Sequence, residues 1–170
     1  MEVLDAPAAL AQWRYFAGTD DERLAALRTA LKSGADIIMF SRGGYGVSRL
    51  LHRIDWQAVA DSRKILCGFS DITAFSLAAL AKAQAITFSG PVVAGEFAQQ
   101  DKLPEREFTE VQLLGLLSGN AYRYPEAVGD ADHGSQRIEG TLWGTNLAMV
   151  THLVGTPYMP HINDGILVLE

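Results

Sequence analysis

Cysteine is almost missing from this chain. Cys67 is the single one among 170 residues, so no internal disulfide can form, which fits a reducing compartment. Basic runs are missing too: 14 Lys and Arg stand against 20 Asp and Glu, for a formal net charge of −6. Wrapping a nucleic acid backbone needs clustered cations, so no nucleic acid partner is expected. The same charge argues against an anionic membrane surface. No apolar run approaches the length that spans a bilayer. The N-terminal stretch Met1–Phe16 lacks the basic start and apolar centre of a signal peptide. The expected location is the cytoplasm. Repeats and low-complexity tracts are absent as well. What the chain does have is 48% hydrophobic and 20% charged residues, enough for the core of a soluble globular protein. Its length suits one domain, or one domain and part of another.

The clearest helix opens at Thr19, which has capping-box spacing with Glu22; Leu24, Leu27 and Leu31 follow on one face, and Gly34 is a candidate C-cap. A short apolar strand, Asp36–Phe40, leads into the turn Arg42-Gly43-Gly44-Tyr45-Gly46 and a helix over Val47–Ile54. Lys64–Phe69 reads as a buried strand, ending at Gly68-Phe69-Ser70, with a helix from Asp71 through Ala81. Ile86–Phe88 reads as one more strand. This alternation is the pattern of an α/β domain with a parallel, Rossmann-like sheet. After Pro91 the rhythm changes. A helix is expected from Pro104 to Gly119, then a polar loop over Asn120–Gln136, a strand over Ile138–Trp143, a helix over Asn146–Val154 and a last strand over Ile166–Glu170. The division expected is 1–92 for the first α/β domain, 93–137 for a connecting helix and loop, and 138–170 for the start of a second, smaller domain. Both ends read as cut. Met1–Asp5 resembles a strand tail with nothing before it, and the chain stops on a buried-type strand.

Gly68-Phe69-Ser70-Asp71 is the sharpest candidate site. Strand, tight turn at a serine and helix make the geometry of a nucleophile elbow, although Ile72 stands where G-x-S-x-G has its second glycine. The free N–H groups opening the helix, beginning with that of Asp71, and the positive end of its dipole suit an oxyanion. Locally, the same residues read more simply as a helix cap. The Arg42–Gly46 turn also joins strand to helix. It is either a tight turn needing positive φ or a backbone cradle for an oxyanion or phosphate. It is neither G-x-G-x-x-G, because Arg49 stands at the last position, nor a Walker A loop. Asn146 reads as an N-cap. A serine nucleophile needs a base, usually histidine. His52, His133, His152 and His161 show no spacing that links them to Ser70 and form no metal-ligand set; His152 lies on a largely apolar helix and reads as a core or edge residue. Cys67 is the alternative nucleophile, but burial is the commoner fate for a lone cysteine in a strand. Glu170 is a carboxylate ending an apolar strand, a costly place for an unpartnered charge.

With these residues in hand, the chain resembles the L,D-carboxypeptidases, or muramoyltetrapeptide carboxypeptidases. The stretches that carry the likeness are Phe16–Thr19, Arg42–Gly46, Gly68–Thr73, Ile86–Pro91, Glu139–Gly144, Asn146–Met149, Gly155–Pro157 and Gly165–Glu170, in family order across nearly the whole chain. Thr145 departs from the pattern, where the family usually has glycine. The resemblance implies a Ser–Glu–His triad in that chain order. Ser70 holds the nucleophile position and Glu170 the acid position, with the histidine in a C-terminal segment beyond residue 170. The Asp71 N–H, with that of Gly43 or Gly44, would hold the oxyanion. Asn146 would face substrate, and Arg42 would either contact a substrate carboxylate or sit in a structural ion pair. The implied reaction is serine acyl transfer that releases the terminal D-Ala of a murein tetrapeptide in peptidoglycan recycling. It needs no metal or cofactor, and the full-length protein would be a homodimer. The fragment itself would have little activity, lacking its base. Two other readings stand beside this one. One is a microcin-immunity-type peptidase acting on an aminoacyl-nucleotide. The other is a non-catalytic α/β module that binds an anion at the Gly43–Gly46 loop.

Overall fold

The structure is a computed structural model, and it describes residues 4, 7–95, 97, 103–120 and 138–170. The expected loop at 121–136, His133 and most of the Met1–Asp5 segment lie outside the described residues.

The first helix, α1 (Asp20–Lys32), opens with a complete capping box. The Thr19 hydroxyl accepts the Glu22 N–H at 3.3 Å, and the Glu22 carboxylate accepts the Thr19 N–H at 2.7 Å. Asp20, Asp21 and Glu22 face the positive end of the helix dipole, and Lys32 faces the negative end. The end of α1 differs from expectation. Ser33, not Gly34, closes the helix in an extended conformation, because its own hydroxyl donates to the Ala30 carbonyl at 2.7 Å.

Strands β1 (Ile37–Met39), β2 (Ile65–Gly68) and β3 (Phe88–Ser89) form a parallel sheet in the order β1-β2-β3. This is the α/β, parallel-sheet architecture that the sequence pattern implied. The expected strand at 86–88 is shorter than predicted, since Ile86 is 82% exposed and pairing starts at Phe88. Between β1 and β2 the expected helix over 47–54 is absent. Leu50, Leu51 and Ile54 are buried, as the pattern required. However, the Leu50 N–H donates to Val47 and the Arg53 N–H to Leu50, so the bonds span three residues and close 3₁₀-type turns. The α-helix comes next, as α2 (Trp56–Ser62), started by the Asp55 carboxylate accepting the Ala58 N–H at 3.0 Å.

The central element is α3 (Ile72–Ala83), which is buried along most of its length through Ile72, Thr73, Ala74, Phe75, Leu77, Ala78 and Ala79. A helix apolar on every side must be covered on every side. It packs against α2 on one flank and α5 (Leu147–Leu153) on another. Phe75 anchors the core, with Phe40 edge-on at 5.3 Å and Trp56 at 5.6 Å between ring centroids. Farther along lie α4 (Leu103–Leu117) and a second parallel pair, β4 (Thr141–Thr145) with β5 (Gly165–Leu169). The helix expected after Pro104 thus forms, and Gly119 follows it at φ +84°. The last strand is not buried as expected: all of β5 but Ile166 is exposed, while α3 and α5 pack on its partner β4. Among the described residues no helix is long and apolar enough to cross a membrane.

Thr19→Ala removes half of the capping box and is expected to lower stability by about 1 kcal/mol in urea unfolding, with Thr19→Ser close to the parent.

Candidate active site

Parallel strands end on one edge of their sheet, and three chain segments leave that edge together. The Arg42–Gly46 loop follows β1, Ser70 follows β2, and Gly90-Pro91 follows β3. The segment after β3 then crosses back: the Val93 N–H donates to Phe40 at 3.1 Å and the Ala94 N–H to Ser41 at 2.7 Å. This ties the outer two segments together around the end of β2.

Ser70 has φ +62°, a left-handed conformation that a side-chain-bearing residue adopts only at a cost. Its carbonyl accepts the Thr73 N–H at 3.0 Å, which turns the chain directly into α3. Its hydroxyl has no hydrogen-bond partner among the described residues, and the side chain is half-buried. The cap reading is not what the geometry favours. Asp71 occupies the N-cap position in a helical conformation and makes no side-chain bond to α3. Its carboxylate, 5% exposed, instead accepts the Val47 N–H at 2.8 Å. A buried carboxylate requires such partners. The consequence is that the glycine loop and the Ser70 turn are joined directly. The Asp71, Gly43 and Gly44 N–H groups donate to no acceptor among the described residues, so all three remain free for a ligand.

Two glycines in the loop are needed for separate reasons. A Cβ on Gly43 would lie 2.7 Å from the Ser70 Cβ and 3.2 Å from its Oγ, so only glycine lets the loop come this close. Gly46 has φ +97°, and a Cβ there would strike the Phe16 ring at 2.5 Å. Phe16 therefore underlies the loop. Tyr45 stacks on it at 6.1 Å, and the Arg23 and Arg49 guanidinium groups each lie 5.3 Å from its centroid. Arg23 also donates to the Gly46 carbonyl at 3.3 Å, and Arg49 pairs with Asp20 at 2.9 Å. Burial lowers the Arg23 pKa, which Asp20 and Asp71 oppose. The Arg49 hydrogen bond to Asp20 holds that carboxyl below its usual range. Arg42 is exposed and turns back on the loop, its Nε donating to the Gly43 carbonyl at 3.3 Å.

Glu170 borders an open cleft of about 200 Å³, together with Phe69, Ser89, Gly90, Pro91 and Thr109. The acid candidate and the residue before Ser70 thus share one cleft. Glu170 is exposed, so the expected cost of a charge closing an apolar strand does not arise. Its backbone is held on both sides: its N–H donates to Thr145 at 2.8 Å, and its carbonyl accepts the Leu147 N–H at 3.2 Å. Asn146 caps α5, its Oδ1 accepting the Met149 N–H at 3.2 Å, which leaves the Nδ2 for other contacts. Cys67 is 1% exposed, and burial pushes its thiol up to about 11, so it is a protonated core residue at neutral pH. His52, His152 and His161 are all exposed, and none hydrogen-bonds Ser70 or Glu170. For His152 this rules out the core half of the core-or-edge expectation: it is exposed on α5, whose buried residues are Val150 and Leu153. The sequence reading missed the Asp71 carboxylate and the Phe16 support. Phe16 was visible only as part of the matching stretch, and Asp71 only through its N–H and as a candidate helix cap.

Two substitutions test this geometry. A left-handed residue other than glycine costs about 1–2 kcal/mol. Glycine's extra unfolded-state freedom offsets about 0.5–1 kcal/mol of that. Ser70→Gly should therefore unfold at higher urea than Ser70→Ala, and a lower midpoint for Ser70→Gly would mean that the turn is unstrained. Asp71→Ala leaves the Val47 N–H without its acceptor and should cost about 1–3 kcal/mol. Asp71→Asn keeps an acceptor and should lose clearly less in the same measurement.

Comparison with known proteins places this geometry in context. The LD-carboxypeptidase N-terminal domain matches residues 1–90, and the LD-carboxypeptidase C-terminal domain matches residues 139–170. The murein tetrapeptide carboxypeptidase of Pseudomonas aeruginosa is 35% identical over 168 residues, which cover 94% of this chain and 53% of that protein. The crystal structure of muramoyltetrapeptide carboxypeptidase from Oxalobacter formigenes superposes with a TM-score of 0.79 at 37% identity, over 93% of this chain and 53% of that one. The microcin C7 self-immunity protein of Escherichia coli is 30% identical over 78% of this chain and 46% of its own length. A microcin C7 self-immunity protein structure in the apo state superposes with a TM-score of 0.75 at 25% identity, over 90% of this chain and 53% of that one. The chain spans about half the length of the curated relatives that it matches. With both domain models matched in order along its length, the chain belongs to the LD-carboxypeptidase family.

Proposed function

We propose that this chain carries the nucleophile and the acid of a serine L,D-carboxypeptidase that releases the terminal D-Ala of murein tetrapeptides. The observation that carries the reading is the left-handed Ser70, packed against Gly43 at the C-terminal edge of a parallel sheet. In this reading Ser70 attacks the carbonyl between the L-centre of the diamino acid and D-Ala. The free N–H groups of Asp71 and of Gly43 or Gly44 hold the oxyanion. D-Ala leaves as the amine after accepting a proton, and water then releases the peptide from Ser70. Glu170 orients and stabilises the imidazolium of the base. Arg42 and Asn146 contact the substrate carboxylate or backbone. The base is not His52, His152 or His161 in this reading, because none of them meets Ser70 or Glu170. A histidine from a longer form of the protein supplies it, and that form is a homodimer in the cytoplasm. Two similar proteins support the substrate class: the Pseudomonas aeruginosa relative is a murein tetrapeptide carboxypeptidase, and the Oxalobacter formigenes structure is a muramoyltetrapeptide carboxypeptidase.

A second reading, cleavage of an aminoacyl-nucleotide, is favoured by the likeness to the microcin C7 self-immunity protein. The test is D-Ala release from a murein tetrapeptide by the 170-residue chain and by a version extended with a family C-terminal segment. The extended form should turn over and the 170-residue chain should be slower by several orders of magnitude, since triad members act as a unit. Ser70→Ala should abolish release. Normal turnover by the 170-residue chain would return the base to one of its own four histidines. Hydrolysis of an aminoacyl-nucleotide with no D-Ala release would favour the second reading.

A further inference from the structure

Thr73 and Thr145 lie 72 residues apart in sequence, yet their hydroxyl oxygens are 2.7 Å apart. Thr73 is 2% exposed, so its hydroxyl cannot fall back on water and needs protein partners. It has two: Thr145, and the Asn146 N–H at 3.4 Å. Thr145 has φ +99°, an outlier for a β-branched residue, which persists only where the surroundings hold it. The hydroxyl contact is the one side-chain hydrogen bond that Thr145 makes among the described residues.

These bonds join the nucleophile to the acid. The Thr73 N–H donates to the Ser70 carbonyl at 3.0 Å, and the Glu170 N–H donates to the Thr145 carbonyl at 2.8 Å. The route from Ser70 to Glu170 therefore runs through one turn of α3, one pair of hydroxyls and one backbone bond. We propose that Thr73 and Thr145 are positioning residues, whose paired hydroxyls fix the Glu170-bearing strand end against the Ser70 turn. The inference rests on reading Ser70 and Glu170 as nucleophile and acid. It competes with a simpler account, in which the apolar contact of Val150 and Leu153 with α3 does all the positioning. In the simpler account the hydroxyls only satisfy each other.

The two accounts separate in amide hydrogen exchange, followed residue by residue by NMR on the 170-residue chain. Thr73→Val keeps the shape and removes the hydroxyl. The Glu170 and Leu147 amides should then exchange at least about tenfold faster, with the β1–β2 amides unchanged, and Thr73→Ser should restore protection. Should Thr73→Val not fold, Thr145→Ala with Thr145→Ser as its rescue asks the same question from the other side. Unchanged exchange at Glu170, equal acceleration of all amides, or no rescue by serine would each overturn the proposal. The readout is independent of D-Ala release, so the two readings can fail separately.

Discussion

Asp71 cannot serve its own helix, and much of the site follows from that. Its carboxylate is committed to the Val47 N–H, 24 residues back in the chain. The bond holds the end of the glycine loop against the residue after Ser70. With the carboxylate occupied, the Asp71, Gly43 and Gly44 N–H groups have no acceptor among the described residues. A conventional N-cap at this position would have stabilised α3 while leaving the loop untethered. Here the first turn of α3 is stabilised by burial instead, through Ile72, Thr73, Ala74 and Phe75, each no more than 3% exposed.

The second tether lies on the opposite side of the same turn. Asp71 reaches toward the loop after β1, and Thr73 reaches toward the end of β4. Two residues of one helical turn thus hold separate parts of the candidate site, with Ser70 between them. Neither tether depends on an exposed ion pair, whose contribution would be small and screened by salt. Both use short polar groups placed on a helix rather than a loop.

Much of this was legible in the sequence. The capping box, the parallel α/β pattern and the strand–serine–helix turn are local signals, and each formed where it was expected. The misreadings share a cause. Leu50, Leu51 and Ile54 have helical spacing, but the same spacing serves a pair of 3₁₀ turns, since apolar periodicity reports burial and not which carbonyl accepts each N–H. Ile166–Leu169 is apolar enough for a buried strand, and composition does not say whether a covering layer is present. Thr145 was visible as a departure from the family pattern, though not as a partner of Thr73, because no local rule links residues so far apart. The role of the Asp71 side chain was hidden for the same reason.

The support beneath the glycine loop makes Phe16 and Gly46 a single choice. The ring fills the space that any side chain at 46 would need, and two arginines from different segments hold that ring in place. Position 46 is closed twice, by its φ of +97° and by the ring, and a smaller residue at 16 leaves the two arginines without their shared face. Relatives that keep this loop shape should therefore keep glycine at 46 whatever stands at 16. Residues 16 to 23 would then be inherited with the Ser70 turn as one block.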